Sequence, residues 1–439
     1  MKDRKYHMVT TCLLAAAMLM LGAVPVLAEG AAPPLELQPL IDEALRNNHD
    51  VWVSEAKWRA SSARIKQAGA LPDPMVMVGY QNEGWNEYTY GKMLGAQWMF
   101  SVSQMFPFAG KRSLKEQMAS QDAETAGAMH RAARLGTLGR VKELYFDLAL
   151  VHKDLDLVRE RSSLFTRLEE AALARYATGM APQQEVLMAQ TEKYMLLERE
   201  TMLGQKRRTL ESMLTSLLGR DSAVPLGRPV EPAATTFTAS ADDLVAQAIE
   251  RSPEVVAREK MISASQSGIH MAEKEYYPDV TLNAWVATRT GEFQDMWALT
   301  ATFNIPLYYK SRQSQAVAEK RAMHSASVHD LAGIKAMLAA TVRENHAMVQ
   351  SADQLMELYR KGLIPKTNQE FELGLSGYRT GKTDEIVVIS RLKSLLEYEI
   401  AYWTQFVERE KAIARIEALT GTGDQVAAQG EDHDQQEQK

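Results

Sequence analysis

The chain has 439 residues, a net charge of −6, and charged side chains at 24% of positions. That scattered, acidic balance excludes the basic footprint of a nucleic-acid-binding protein. A single cysteine, Cys12, excludes a framework of internal disulfides.

The N-terminus reads as an export signal. Lys2, Arg4 and Lys5 precede a mostly apolar run from Leu13 to Ala28, and Val26-Leu27-Ala28 suits cleavage after Ala28. Residues 1–28 are therefore expected to be a signal peptide. Its removal takes Cys12 with it and leaves a net charge of −8 with no lipidated N-terminal cysteine. No later run of 18 apolar residues offers a spanning helix. An exported chain of this kind is either soluble outside the cytoplasm or a membrane β-barrel, and composition does not choose.

The remaining chain repeats itself. LIDEALRNNHDV (40–51) matches LVAQAIERSPEV (244–255), LPDPMV (71–76) matches YPDVTL (277–282), and MFPFAGKR (105–112) matches NIPLYYKSR (304–312). RYATG (175–179) matches GYRTG (377–381), and LLGRD (217–221) matches LTGTG (419–423). Five landmarks in the same order, at offsets between 199 and 206, identify a tandem duplication. The expected division is 29–218 for the first repeat, 219–241 for a Pro/Ala/Thr-rich linker and 242–421 for the second repeat. An acidic, Gln-rich tail at 422–439 is expected to be disordered.

Each repeat opens with helix formers (38–70 and 241–276) that stop at Pro72 and Pro278. The period then becomes two, which predicts strands near 75–83, 95–106, 279–289 and 296–306. Trp297, Leu299 and Phe303 alternate with Ala298, Thr300 and Thr302. After Lys111 the helical period returns, with Val141, Leu144, Leu148, Val151, Leu155 and Val158 forming a coiled-coil seam. No proline interrupts Lys111 to Tyr176, enough for a helix of roughly 100 Å.

Four strands cannot span a bilayer as an open sheet, because unpaired edge groups in hydrocarbon cost several kcal/mol each. Closure would need several chains. Two would give eight strands with an interior filled by side chains, three would give twelve strands and a lumen, and Trp297, Leu299 and Phe303 would face lipid. A soluble β-sandwich with a periplasmic coiled coil is the alternative.

The order helix, hairpin, long helices, given twice over about residues 36–421, resembles the TolC family of outer-membrane efflux channels. LPDP (71–74) and SQMFPFAGKR (103–112) resemble its metal-cation efflux branch. The resemblance implies a mainly helical fold with a membrane portion. That fold is a trimeric twelve-stranded β-barrel in the cell outer membrane, continued by a twelve-helix α-barrel in the periplasm. It implies a homotrimer working with a periplasmic adaptor and an inner-membrane pump, of the RND type, and exporting heavy-metal cations or other small toxic solutes. Drug efflux and type I protein secretion are alternatives within the family. It further implies that Tyr176, Gly179, Met180, Tyr378, Gly381 and Lys382 form the periplasmic tips where the adaptor docks. The family's usual pore-constricting aspartate positions hold Val387 and Ser390 here. Asp384 and Glu385 are the candidates for an acidic ring at the pore mouth.

No phosphate-binding glycine loop, nucleophile elbow or zinc-type histidine pair is present, so no catalytic residue, cofactor or metal site is expected and an enzyme is not. The methionines, Met75 and Met77 among them, read as core filler. His152, His324 and His346 read as residues of solvated helix faces.

Overall fold

The computed structural model describes residues 33–220 and 226–422. The expected signal peptide and nearly all of the acidic tail lie outside them.

Each repeat begins with two helices rather than the single one that the helix-forming composition predicts. In the first repeat these are α1 (Leu37–Asn47) and α2 (His49–Gly69). The chain turns extended at Asn48, whose side chain accepts the Asp50 and Val51 N–H groups and so caps α2. Its amide also donates to the Leu217 carbonyl at 3.0 Å. In the second repeat, α5 (Ala241–Arg251) and α6 (Pro253–Lys274) part at Ser252. The ring of Pro253 excludes helical backbone from the residue before it. Different residues thus make the same break in both copies.

Between α2 and the next helix lie β1 (Met75–Gln81) and β2 (Gln97–Phe106); β3 (Val280–Thr288) and β4 (Met296–Phe303) follow α6. Strand β4 stops three residues before the expected end. There the Asn304 side chain accepts the Asp279 N–H at 2.7 Å, and Leu307 turns back onto the Ile305 carbonyl.

The four strands form one antiparallel sheet in chain order, and β2–β3 pairing joins the repeats. Val78, Phe100, Val286 and Trp297 stand in register across it, as do Val76, Val102, Ala284 and Leu299. The opposite face carries Ser101, Ser103, Thr281, Asn283, Thr300 and Thr302, together with Met75, Met77 and Met99. Those methionines sit on a strand face and not in a core; Met75 is 64% exposed.

The long helices dominate the molecule. They are α3 (Lys111–Ala177, 67 residues), α4 (Gln183–Leu217), α7 (Gln313–Leu358), α8 (Ile364–Arg379) and α9 (Glu385–Thr420). Helix α3 packs on α2, α4, α6 and α9, and the whole predicted seam from Val141 to Val158 is buried. Where α3 runs unbroken, its counterpart is interrupted by a π-helical turn at Tyr359–Leu363. Pro365 lies just beyond and has no N–H to continue the α-helical ladder, which favours such a widened turn. The described part of the inter-repeat linker lies along the bundle: Leu35 bridges Pro229, the Tyr145 hydroxyl donates to the Val230 carbonyl at 2.9 Å, and the Thr235 hydroxyl donates to buried Glu410 at 2.6 Å.

Candidate functional site

Two turns close the helix pairs α3–α4 and α8–α9, and they are built alike. Gly179 and Gly381 have φ of 71° and 74°, the left-handed region that costs glycine little. In the first turn, Gly179 N–H bonds the Tyr176 carbonyl and Met180 N–H bonds the Arg175 carbonyl; in the second, Gly381 bonds Tyr378 and Lys382 bonds Gly377. This pairing ends a helix while satisfying its last carbonyls. The threonine before each glycine repeats as well: Thr178 and Thr380 donate back to carbonyls three and four residues earlier.

The equivalence ends with the side chains. Tyr176 is 47% exposed, whereas Tyr378 is fully buried. The Tyr378 hydroxyl donates to Glu185 Oε2 at 2.9 Å, from the second helix pair to the first. The Arg175 guanidinium lies over the Tyr378 ring at 4.4 Å, a cation–π contact. It also donates to the Tyr378 carbonyl at 3.1 Å and to the Met180 carbonyl at 3.2 Å. One arginine thus ties its own turn to the other. Burial and the Glu185 hydrogen bond push the Tyr378 phenol up, so it holds its proton throughout the physiological range. The repeat partner of Arg175 is Gly377, where a Cβ would meet Thr383 Oγ1 at 2.2 Å. The copies have diverged so that one supplies a cation and the other a glycine against which Thr383 packs.

Of the residues predicted for the tips, Tyr176, Gly179, Met180, Gly381 and Lys382 are exposed around the turns and Tyr378 is buried. Asp384 is exposed too, but Glu385 is only 1% exposed and does not line an opening. The expected acidic ring therefore loses one of its two members. The physical reason is the helix start: Glu385 stands one turn before buried Val388 and Ile389, on the face that packs inward. Sequence reading missed Arg175 and Glu185. The arginine's unlike partner, glycine at an otherwise repeated turn, was the available hint. His152, His324 and His346 are half-buried rather than solvated, and His324 pairs with Ser265 Oγ at 2.9 Å.

At the other end of the helices, Trp297, Leu299 and Phe303 are 79%, 71% and 54% exposed on the apolar sheet face, so solvent-facing hydrocarbon there awaits a different medium. The outer edges of β1 and β4 have no partner strand among the described residues. Where strands meet helices, buried Lys111 bonds Asp279 Oδ1 at 2.9 Å and the Tyr277 carbonyl at 3.2 Å. Asp279 also accepts the Phe108 N–H at 2.7 Å. No group of three or more His, Cys, Asp or Glu side chains could hold a metal ion among the described residues.

Residues 40–220 and 244–422 match the family described as outer membrane efflux protein. The chain is 21% identical over 416 residues to outer membrane protein OprJ of Pseudomonas aeruginosa, covering 88% of this chain and 84% of that one. It is 23% identical over 310 residues to the nickel-cobalt-cadmium resistance protein NccC of Alcaligenes xylosoxydans, covering 69% and 68%. Among solved structures, a CusC structure described with transmembrane channel formation superposes with a TM-score of 0.76 at 15% identity, covering 90% of this chain and 95% of that one.

Proposed function

The chain belongs to the outer membrane efflux protein family, and on that footing we propose that three copies form one passive exit duct. In this reading the Tyr378–Glu185 contact latches the duct at its helical tips, and the duct carries heavy-metal cations. The family provides the outer-membrane channel of tripartite efflux systems, in which an adaptor and an inner-membrane pump complete the path.

The sheet carries the reading. It is apolar on one face, mixed on the other, where Ser101, Ser103, Asn283, Thr300 and Thr302 stand among methionines and Trp285, and unpaired at both outer edges among the described residues. Three such sheets joined edge to edge give twelve strands, no free edge and a water-filled centre. The tips then gather around one opening. Leu187, Tyr194 and Leu197 on α4 and Leu373 on α8 are more than half exposed in one chain and supply apolar surface for neighbouring copies. Energy comes from a pump of the RND type, and the adaptor docks on Gly179, Met180, Gly381 and Lys382.

Two neighbouring substitutions test the sheet. Leu299→Arg is expected to cost about 2–4 kcal/mol by placing a cation in lipid, and to deplete the protein from outer-membrane fractions. Thr300→Arg points the other way and is expected to assemble normally while changing ion selectivity. Equal assembly of the two variants would overturn the proposed facing.

Asp384 repeats three times around the opening and favours cations at the mouth. Asp384→Lys is expected to lower cation preference in single-channel recordings in planar bilayers; unchanged selectivity would remove its role. The metal substrate rests on the resemblance of SQMFPFAGKR and on the relative NccC. Deleting the gene is expected to sensitise cells to divalent transition-metal cations, whereas sensitivity to organic drugs alone would favour drug efflux.

A further inference from the structure

Glu385 is a buried acid whose charge no hydrogen bond supports among the described residues. It is 1% exposed, and neither carboxyl oxygen has a hydrogen-bond partner among the described residues. Three elements bring titratable or charged groups towards it. Helix α4 contributes Glu185, a like charge; α8 contributes Tyr378, whose hydroxyl is already given to Glu185. Helix α3 contributes Arg175, the one favourable charge among the described residues, and its guanidinium is engaged by the Tyr378 ring and two carbonyls. On its own turn, Lys382 and Asp384 are exposed. One helical turn further on, Val388 and Ile389 belong to the apolar cluster that includes Tyr378. An unpaired carboxylate in such a place is strongly disfavoured, whereas a carboxylic acid is tolerated.

We propose that Glu385 is a proton-binding site that couples closure of the helical tips to periplasmic pH. Protonated, it packs beneath the latch and the two turns stay together. Ionised, it faces Glu185 across an apolar contact and drives the turns apart towards water. The proposal rests on the exit-duct reading and adds a control of the duct by its surroundings.

The direction follows from linkage. Burial, then the Glu185 charge, raise the Glu385 carboxyl from 4.5 to about 7 in the closed tip. An opened, hydrated tip returns it to the ordinary range. The closed form therefore has its full advantage below pH ~4.5, loses up to about tenfold per pH unit in each protomer as pH rises to ~7, and changes no further above that. Over the window the closed-to-open ratio falls about 300-fold per protomer. Asp154, on α3, is a second buried carboxyl, raised by burial to about 6, and serves as the control.

The test is the open fraction of the full-length channel in planar bilayers between pH 4.5 and 8, for the wild type, Glu385→Gln, Glu385→Leu and Asp154→Asn. The wild type and Asp154→Asn are expected to open as pH rises and to level off above ~7. Glu385→Gln, which cannot ionise, is expected to stay at the wild-type low-pH value throughout; Glu385→Leu does the same and substitutes for it if the amide fails to assemble. A Glu385→Gln channel that keeps the pH response, or a wild-type channel that conducts but shows none, overturns the proton site and leaves the duct standing. A wild type and a Tyr378→Phe variant that form no channel at any pH overturn both.

Discussion

Tyr378→Phe is expected to open the tips. The substitution keeps the buried ring and its contact with Arg175 but removes the hydroxyl that donates to Glu185 at 2.9 Å. A hydrogen bond to a charged group contributes about 1.5–3 kcal/mol, so each protomer's closed-to-open ratio should fall about 10- to 150-fold. Planar-bilayer recordings should show a larger open fraction, and cells should become permeable to large antibiotics that the outer membrane normally excludes. Arg175→Leu should act in the same direction, because it loses the cation–π contact and the one carbonyl hydrogen bond that crosses between turns. The two effects should not add, since both side chains act through the same tyrosine. Unchanged conductance in Tyr378→Phe would remove the latch from the account.

Lys111→Met is expected to have the largest effect on stability. The ammonium is buried against Asp279, Glu275 and the Tyr277 carbonyl, and it joins the start of α3 in the first repeat to the start of β3 in the second. Removing one partner of a buried pair costs about 3–5 kcal/mol, because the remaining carboxylate stays largely desolvated. The expected result is a marked loss of heat-resistant oligomer on native-like gels and a lower midpoint of thermal unfolding. Lys111→Met with Asp279→Asn should recover much of that loss, which distinguishes the stranded charge from lost packing of the lysine stem. If the single variant were as stable as the wild type, the junction would not fix the strands to the helices.

Much of the architecture was legible because it follows from periodicity. Alternation marked the strands, the 3–4 spacing from Val141 to Val158 marked the buried seam, and paired Tyr-x-x-Gly stretches marked the turns. Duplication supplied the rest by analogy, most usefully for β1, whose own pattern is irregular. What was not legible depends on contacts between distant segments. Asn48 breaks its helix through a cap that sequence alone permits but does not demand, whereas Pro253 gave the second break a visible cause. Glu385 follows Asp384 and reads as one more solvated acid; only the helix face it occupies, packed against the other turn, buries it. Arg175 reaches Tyr378 across 203 positions, a partnership no local pattern encodes. Duplication marks where both turns lie, while the side chains that join them are unlike.

The central claim is that three chains close one barrel, edge strand to edge strand. It can be measured by cysteine cross-linking, because the chain's single cysteine, Cys12, lies in the expected signal peptide and leaves a blank background. Cysteines are placed singly on β1 at Val76 or Val78 and on β4 at Leu299 or Ala301, combined in pairs and oxidised in outer-membrane vesicles. These positions lie three strands apart within one sheet but become neighbours between chains if the edges join. Intermolecular products are expected for at least one pair, in a ladder that stops at three chains. Only monomers across all pairs, or a ladder ending at a different number, would contradict it.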